Sequence, residues 1–230
     1  IQVLCNGMDI QSCFKKANEI DDYIDAHFDY AFDEKYGYKT TFPTNTGTGM
    51  KAGYTLHLPS LSDARRLNDI SAELGRFGLK FRTVYGDGQN GYGNLYQIST
   101  QKTLGQDEHE VIKDLDDIVL QIVNQEKEQR EHFYKKDKIQ MDDEIYKSYG
   151  VLKYARKLSL KDSMVLISEL MTGISLGVLQ FAHNGRYNIN ELIMDIQPAV
   201  LRQNSGKAMS VAETDVLRAE YIRKYLPEII

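Results

Sequence analysis

Thiols are scarce in this 230-residue sequence, which has two cysteines, Cys5 and Cys13. Two are too few for a disulfide framework and cannot alone complete a four-ligand zinc site. A reducing, cytoplasmic setting is therefore expected. The five histidines, His27, His57, His109, His132 and His183, show no metal-ligand spacing, so no protein metal site is expected. No apolar run approaches the ~18 residues of a membrane span, and no signal-like start is present. Basic charge is not in excess. Lys and Arg number 28 against 33 Asp and Glu, a net charge of −5, which excludes a global field for nucleic acid or an anionic membrane. Also missing are the Walker spacing of a P-loop and any local signature of a Ser-His-Asp or Cys-His nucleophile.

What is present is the composition of a folded protein. Hydrophobic residues are 42% and charged residues 27%, which excludes a wholly disordered chain. The length fits one to two domains. Ile1-Gln2-Val3-Leu4-Cys5 reads as a buried strand already in progress, so the true N-terminus is expected upstream. Ile10, Phe14, Ala17, Ile20, Ile24 and Phe28 fall three and four apart and predict a helix from Asp9, its cap, to Phe28. Residues 29 to 49 carry turn chemistry. Met50 to Leu58 reads as a strand with Tyr54, Leu56 and Leu58 on one face. A single helix is expected from Ser60 to Phe77, closed by Gly78.

Strands follow at Leu79 to Tyr85 and Asn94 to Ser99, separated by a glycine-rich loop. A long amphipathic helix is predicted from Gln106 to Lys136, with Val111, Leu115, Ile118 and Ile122 on its stripe. Its charged end, Glu126 to Lys138, reads as a solvated helix end or linker. Beyond it helices are expected at 139–157, 161–179, 188–203 and 210–226. Strands mixed with helices, then helices alone, indicate an α+β architecture with a helical appendage.

Three segments carry chemistry-bearing residues. In Phe42-Pro43-Thr44-Asn45-Thr46-Gly47-Thr48-Gly49-Met50-Lys51, glycines allow close backbone approach and successive amides form an anion-binding concavity, with threonine hydroxyls as further donors. The other reading is a Pro/Gly surface loop. In Arg82-Thr83-Val84-Tyr85-Gly86-Asp87-Gly88, a cation on a strand precedes a carboxylate in a loop. Arg82 suits bidentate phosphate binding and Asp87 suits orienting or deprotonating a nucleophile; the alternative is a hairpin turn whose aspartate satisfies turn amides. In Thr214-Asp215-Val216-Leu217-Arg218-Ala219, Asp215 and Arg218 share a helix face. They suit a ligand cationic at one end and anionic at the other, or form a surface ion pair worth about 0–1 kcal/mol.

Together these segments resemble the ATP:guanido phosphotransferases, the phosphagen kinases. Phe42 to Ala52 is similar to the family's cysteine-Pro-Thr-Asn-x-Gly-Thr-Gly-x-Arg-Ala signature. Tyr85-Gly86-Asp87-Gly88 is similar to the Tyr-Gly-Glu-Gly loop of the McsB-type protein arginine kinases within that family. Gln97-Ile98-Ser99, Thr103-Leu104-Gly105 and Tyr146-Lys147-Ser148-Tyr149-Gly150-Val151-Leu152 resemble further landmarks of that branch. Thr214-Asp215-x-x-Arg218-Ala219 resembles its Arg-Asp-x-x-Arg-Ala motif.

The resemblance implies a curved antiparallel sheet flanked by helices, the C-terminal part of a catalytic domain over residues 1–136. A helical phosphoarginine-docking domain would follow over residues 137–230. It implies transfer of the γ-phosphoryl group of ATP, with Mg2+, to arginine side chains of proteins, marking them for Clp protease degradation. The implied catalytic residue is Asp87. The implied ATP-binding residues are Lys51, Ala52, Gly53, Tyr54 and Thr55, then Arg82, Thr83, Val84, Tyr85, Gly86 and Asp87. The implied phosphoarginine-docking residues are Thr214, Asp215, Arg218 and Ala219. The implied partners are arginine-exposing proteins, a McsA-like activator and the Clp ATPase and protease, with homodimerisation open and no nucleic acid or membrane.

Four positions depart from the family pattern. Phe42 replaces a reactive cysteine, which removes thiol chemistry there. Asp87 is one methylene shorter than glutamate, Lys51 loses the bidentate fork of arginine, and Thr214 removes a positive charge. The family's Ser-x-Arg-x-Arg segment, and a second catalytic glutamate before an Asp-His-x-Arg sequence, belong upstream of Ile1. The 230 residues alone are therefore expected to be a fragment without turnover. A catalytically inactive phosphoarginine-binding adaptor is the alternative, and a kinase for small guanidines is a third, disfavoured by the McsB-like helical region.

Overall fold

A computed structural model describes residues 1–87, 91–182 and 188–230. Residues 1–84 and 95–127 form one unit, and residues 85–94 and 128–230 another. Helix α1, Ile10–Asp25, starts where the Asp9 carboxylate accepts the Ser12 amide at 3.3 Å, an N-cap of the kind expected. A short hairpin follows, β1 at Phe32–Asp33 and β2 at Gly37–Tyr38, paired antiparallel. The first five residues form no strand, and Leu4 is 82% exposed. That corrects the expected strand: an isolated apolar stretch has nothing to pair with among the described residues.

Period-two alternation builds the sheet of the first unit. Strand β3, Gly53–His57, and β4, Leu79–Thr83, flank β5, Leu95–Thr100, and both pairings are antiparallel. Tyr54, Leu56, Tyr96 and Ile98 face inward. They meet helix α3, Leu67–Arg76, and helix α4, Glu108–Lys136, through Ile70, Leu74, Ile112, Leu115 and Val119. Each such side chain contributes about 1.5–3 kcal/mol by leaving water. The Tyr54 hydroxyl donates to Asp116 on α4. Burial first, and then this bond, hold that phenol above its ordinary pKa.

The expected helix 60–77 is broken. Helix α2, Pro59–Asp63, stops before Arg65, whose φ of 57° is left-handed, and α3 begins at Leu67. Leu61 and Ile70 both belong to the core. At about 100° per residue one continuous helix would put them on opposite faces, so the chain breaks to bury both. Nor is Ser60 the cap. Glu126, 2% exposed, reaches from α4 and accepts the amides of Ser60 at 3.1 Å and Leu61 at 2.9 Å. The charged end of α4 is therefore not wholly solvated, because this carboxylate terminates another helix.

The second unit is helical. Helix α5, Lys138–Tyr154, packs on α6, Leu160–Ser175, where a Cβ on Gly173 would lie 2.5 Å from Ile145. Ser159 caps α6 by accepting the Asp162 amide at 3.0 Å. The expected helix 188–203 is two helices, α7 at Ile189–Asp195 and α8 at Pro198–Ser205. Pro198 has no amide to donate and opens the second. Helix α9, Val211–Tyr225, carries a capping box between Ser210 and Glu213. The division between units falls within α4, at residues 127 and 128. Among the described residues no helix is long and apolar enough to cross a membrane.

Replacing Glu126 by alanine strands two buried amides. The Glu126→Ala chain is expected to lose about 2–4 kcal/mol of stability, read as a lower urea midpoint with Glu126→Gln intermediate. An unchanged midpoint would show that the carboxylate does not hold α2.

Candidate functional site

The face of the sheet opposite the core gathers polar side chains by register. Thr55 lies opposite Gln97, and Gln97 opposite Arg82; Gly53 lies opposite Ser99, and Ser99 opposite Lys80. The Arg82 Nε donates to Gln97 Oε1 at 2.7 Å, which orients the guanidinium from the neighbouring strand. Lys51, Gly53, Thr55, Lys80 and Arg82 are exposed. These positions offer cations, a hydroxyl-bearing row and no carboxylate. Such a surface fits a polyanion, and a bare metal ion finds no carboxylate among these positions. Among the described residues no cluster of three or more His, Cys, Asp or Glu could hold a metal.

The expected nucleotide-contacting residues sort by this pleat. Ala52 and Tyr54 are buried on the core face, so they present only backbone outward. Gly53 has a packing reason to be glycine: a Cβ there would lie 2.7 Å from the Ile98 carbonyl on β5. Thr83, opposite Tyr96, has core-face parity, and the Val84 amide continues the ladder to the Leu95 carbonyl at 2.9 Å. Lys80 and Gln97 were missed as site residues. The parity of Lys80 with Arg82 was readable, whereas the contact of Gln97 with Arg82 required the β4–β5 register.

Of the two readings of the loop before β3, the concavity of successive free amides is not what residues 45–48 form. Pro43–Asn45 forms a short 3-10 turn. The amides of Asn45, Thr46, Gly47 and Thr48 bond to the carbonyls of Phe42, Pro43, Tyr38 and Thr103. The Met50 amide donates to the Thr48 hydroxyl at 3.2 Å. The Thr103 hydroxyl is shared between the Thr44 carbonyl at 3.1 Å and the Thr46 carbonyl at 2.7 Å. Gly47, at φ 113°, passes so close that a Cβ would lie 2.1 Å from the Thr103 carbonyl. The glycine and the threonine lock the loop, and the amides of residues 45–48 and 50 are spent inside the protein. Phe42 is 68% exposed beside this locked turn.

The acidic loop belongs to the second unit. The rings of Tyr85 and Tyr92 stack at 6.2 Å, and the Tyr92 amide donates to the Tyr85 carbonyl at 3.2 Å. Asn94, at φ 51°, donates through Nδ2 to Ser168 Oγ on α6 at 3.1 Å. A Cβ on Gly93 would crowd Met164 at 3.1 Å. The Tyr85 hydroxyl is held above its ordinary pKa by burial, then by Tyr92. Gly86 and Asp87 are exposed. Gly88 lies outside the described residues.

The Asp215–Arg218 pair is buried, which corrects the expected surface ion pair. Arg218 is 1% exposed. Its Nη1 donates to Asp215 Oδ1 at 2.6 Å and to the Leu158 carbonyl at 2.8 Å, and its Nε to the Ile196 carbonyl at 3.0 Å. The Leu158 amide returns a bond to the Asp215 carbonyl at 3.1 Å. One guanidinium thus ties α9 to the approach to α6 and to the end of α7. Thr214 is buried, its hydroxyl donating to the Ser210 carbonyl at 2.8 Å, and Ala219 is buried beside it. Of the four expected docking residues, Asp215 retains the most exposure.

Residues 1–129 match the model of the ATP:guanido phosphotransferase C-terminal catalytic domain. The chain belongs to that family. Residues 138–229 match the protein-arginine kinase McsB C-terminal domain. The chain is 39% identical over 226 residues to the protein-arginine kinases of Bacillus licheniformis and Bacillus subtilis. A protein-arginine kinase of Clostridium kluyveri is likewise 39% identical, over 98% of this chain and 65% of its own length. The chain spans 62% of the length of the two Bacillus relatives. Among solved structures, the duplicated taurocyamine kinase of Schistosoma mansoni with bound transition state analog components is 30% identical. It covers 50% of this chain and 16% of its own, with a TM-score of 0.44. A lombricine kinase is 24% identical, covering 52% of this chain and 33% of its own, with a TM-score of 0.44.

Removing the Arg218 side chain leaves Asp215 and two carbonyls without their shared donor. Arg218→Ala is expected to cost about 3–5 kcal/mol, seen as a lowered Tm of the 230-residue chain. An unaltered Tm would show that the guanidinium does not hold these helices.

Proposed function

We propose that the protein containing this chain is a protein arginine kinase, which moves the γ-phosphoryl group of ATP to arginine side chains of other proteins. The carrying observation is the outward face of the sheet, where Arg82 is oriented by Gln97 and Lys80 stands in the neighbouring row, with the exposed Lys51 two residues ahead of β3. Family membership and the named relatives support the same reading.

A guanidinium is a poor nucleophile because it is cationic, with a pKa above about 12. A carboxylate must orient it and take a proton as the N–P bond forms. Asp87 has that role in this proposal. The Arg82 fork and the Lys51 ammonium neutralise the phosphate oxygens, with Lys80 adding charge from the neighbouring row. Thr55 and Ser99 supply hydroxyls, while Ala52, Gly53 and Tyr54 offer backbone. Thr83, Val84, Tyr85 and Gly86 carry the chain from the cationic strand to the acid. Mg2+ would supply further charge neutralisation, with the hydroxyls of Thr55 and Ser99 as the oxygen donors this face could offer it.

The helical unit is assigned to docking phosphoarginine. Asp215 would meet the guanidinium there, with Thr214, Arg218 and Ala219 shaping the floor. Arg218 contributes mainly by holding Asp215, because its Nε and Nη1 are engaged. The further proposals are a cytoplasmic location, a McsA-like activator, a homodimer, and delivery of marked proteins to a Clp ATPase and protease. The adaptor reading has an observation of its own: Asp87 is shorter than the family's glutamate, and misplacing a catalytic group by ~1 Å can cost ~100-fold.

The test is the full-length parent incubated with MgATP and an arginine-rich protein. Acid-labile phosphoarginine is expected. Asp87→Glu is expected to raise the rate by roughly 10-fold or more and Asp87→Asn to abolish it, following the geometric sensitivity of catalytic groups. Gln97→Leu should raise the KM for ATP several-fold with a smaller change in kcat, since it frees the Arg82 fork. Absence of phosphoarginine, with phosphoarginine binding retained, would replace the kinase by the adaptor.

A further inference from the structure

The acidic loop is fastened to a helix at its returning limb. Residues 85–94 and α6 belong to the same unit. The loop leaves β4 after Thr83 and enters β5 at Leu95. Just before that entry, the Asn94 Nδ2 donates to the Ser168 Oγ at 3.1 Å. Ser168 is buried and Asn94 half-buried. Gly93 is buried as well, and at φ 78° it passes so near α6 that a Cβ would meet Met164 at 3.1 Å. Met164 and Ser168 are four residues apart, so a single face of α6 receives both Gly93 and Asn94. Asn94 has φ 51°, a left-handed conformation in which asparagine is enriched. The local conformation and the contacts thus agree in laying this limb on the helix.

The anchor reaches the acid through the neck of the loop. Tyr92 stands two residues before Asn94, and Tyr85 stands two residues before Asp87. The Tyr92 amide donates to the Tyr85 carbonyl at 3.2 Å, and the two rings stack at 6.2 Å with planes 21° apart. Holding Asn94 therefore holds Tyr92, the neck passes that constraint to Tyr85, and Tyr85 sets the start of the short path to Asp87. We propose that Ser168, acting through Asn94, is the positioning residue of the acidic loop, so that a hydroxyl on α6 sets where the Asp87 carboxylate meets the incoming guanidinium. This rests on the kinase reading, in which Asp87 is the acid. It gives the helical unit a part in the chemical step that is separate from docking. A residue that aims the acid acts on kcat and leaves ATP binding at the cationic face as it was.

The test compares the full-length parent with Asn94→Gly, Ser168→Ala and the double variant. Glycine keeps the left-handed backbone while removing the amide donor, so Asn94→Gly reads the anchor even where Ser168→Ala unsettles α6. Each single change is expected to lower kcat for protein phosphoarginine about 10-fold, since misplacing a catalytic group by ~1 Å can cost ~100-fold. The KM for ATP should stay within about twofold. The double variant should be no slower than the slower single variant, because both remove the same bond. In the 230-residue chain, hydrogen exchange at the Tyr92 amide should quicken in either single variant. The proposal is overturned by an unchanged kcat in an active parent, by losses that multiply in the double variant, by a KM for ATP that rises as kcat falls, or by unchanged exchange at Tyr92. A parent that makes no phosphoarginine rejects the kinase reading instead, and the exchange measurement then decides the anchor by itself.

Discussion

The first unit depends on the double pairing of β5. Each residue of this central strand has a neighbour on both sides, so its parity sets what each face of the sheet carries. Ile98 and Tyr96 point inward, and with them Tyr54, Leu56 and Phe81. Gln97 and Ser99 point outward, and with them Thr55, Gly53, Arg82 and Lys80. A slip of one residue would exchange the two sets and bury the cations. The apolar core therefore specifies the charged face. Burial of Ile98 against α4 is the same constraint that lays Gln97 beside Arg82.

Under the kinase proposal, that constraint changes where phosphate affinity would reside. A glycine-rich loop invites a reading in which backbone amides cradle the anion. Here the amides of residues 45–48 are already paired, and Thr103 closes the loop with one shared hydroxyl. What remains for an anion is side-chain charge on a rigid sheet. A fork fixed by a cross-strand glutamine loses less rotamer freedom on binding than a free arginine. The locked loop then acts as a scaffold: it sets the path of the chain into Lys51 and β3.

Strands β3, β4 and β5, the inward set of their sheet and the long helix α4 were legible from periodicity, because Tyr54 and Leu56, and likewise Val111, Leu115 and Ile122, repeat at the spacing of their elements, whereas β1 and β2 lay in a stretch read as turns and the strand expected at residues 1–5 did not form. The Asp9 cap was legible for the same local reason. Illegible features were those decided by partners far along the chain. Ser60 reads as a cap, but Glu126, distant in sequence, supplies the acceptor. The helix break at Arg65 follows from two leucine-type contacts with one core, and an apolar stripe that rotates slowly conceals it. At the candidate site, family motifs located Arg82 and Asp87, but Gln97 required the register and the commitment of the loop amides required the Thr103 contact. Asp215 and Arg218 looked like a surface pair because spacing alone does not reveal that Leu158 and Ile196 close over them.

Burial of Arg218 has a consequence for how the helical unit works. A buried guanidinium needs its donors met, and here two carbonyls from different segments and one carboxylate engage Nε and Nη1. The same bonds fix the position of the Asp215 carboxylate, the most exposed of the four motif residues. Holding an acid in place with an interior arginine lowers the entropy that an incoming cation must remove on binding. Under the docking proposal, placing the pair in the interior would make recognition and folding share one set of hydrogen bonds. Loss of ligand affinity in an Arg218 variant therefore says nothing about direct contact unless stability is measured alongside it. A conservative change at Asp215, which keeps the Leu158 amide bonded to its backbone carbonyl, separates the two roles more cleanly than any change at Arg218.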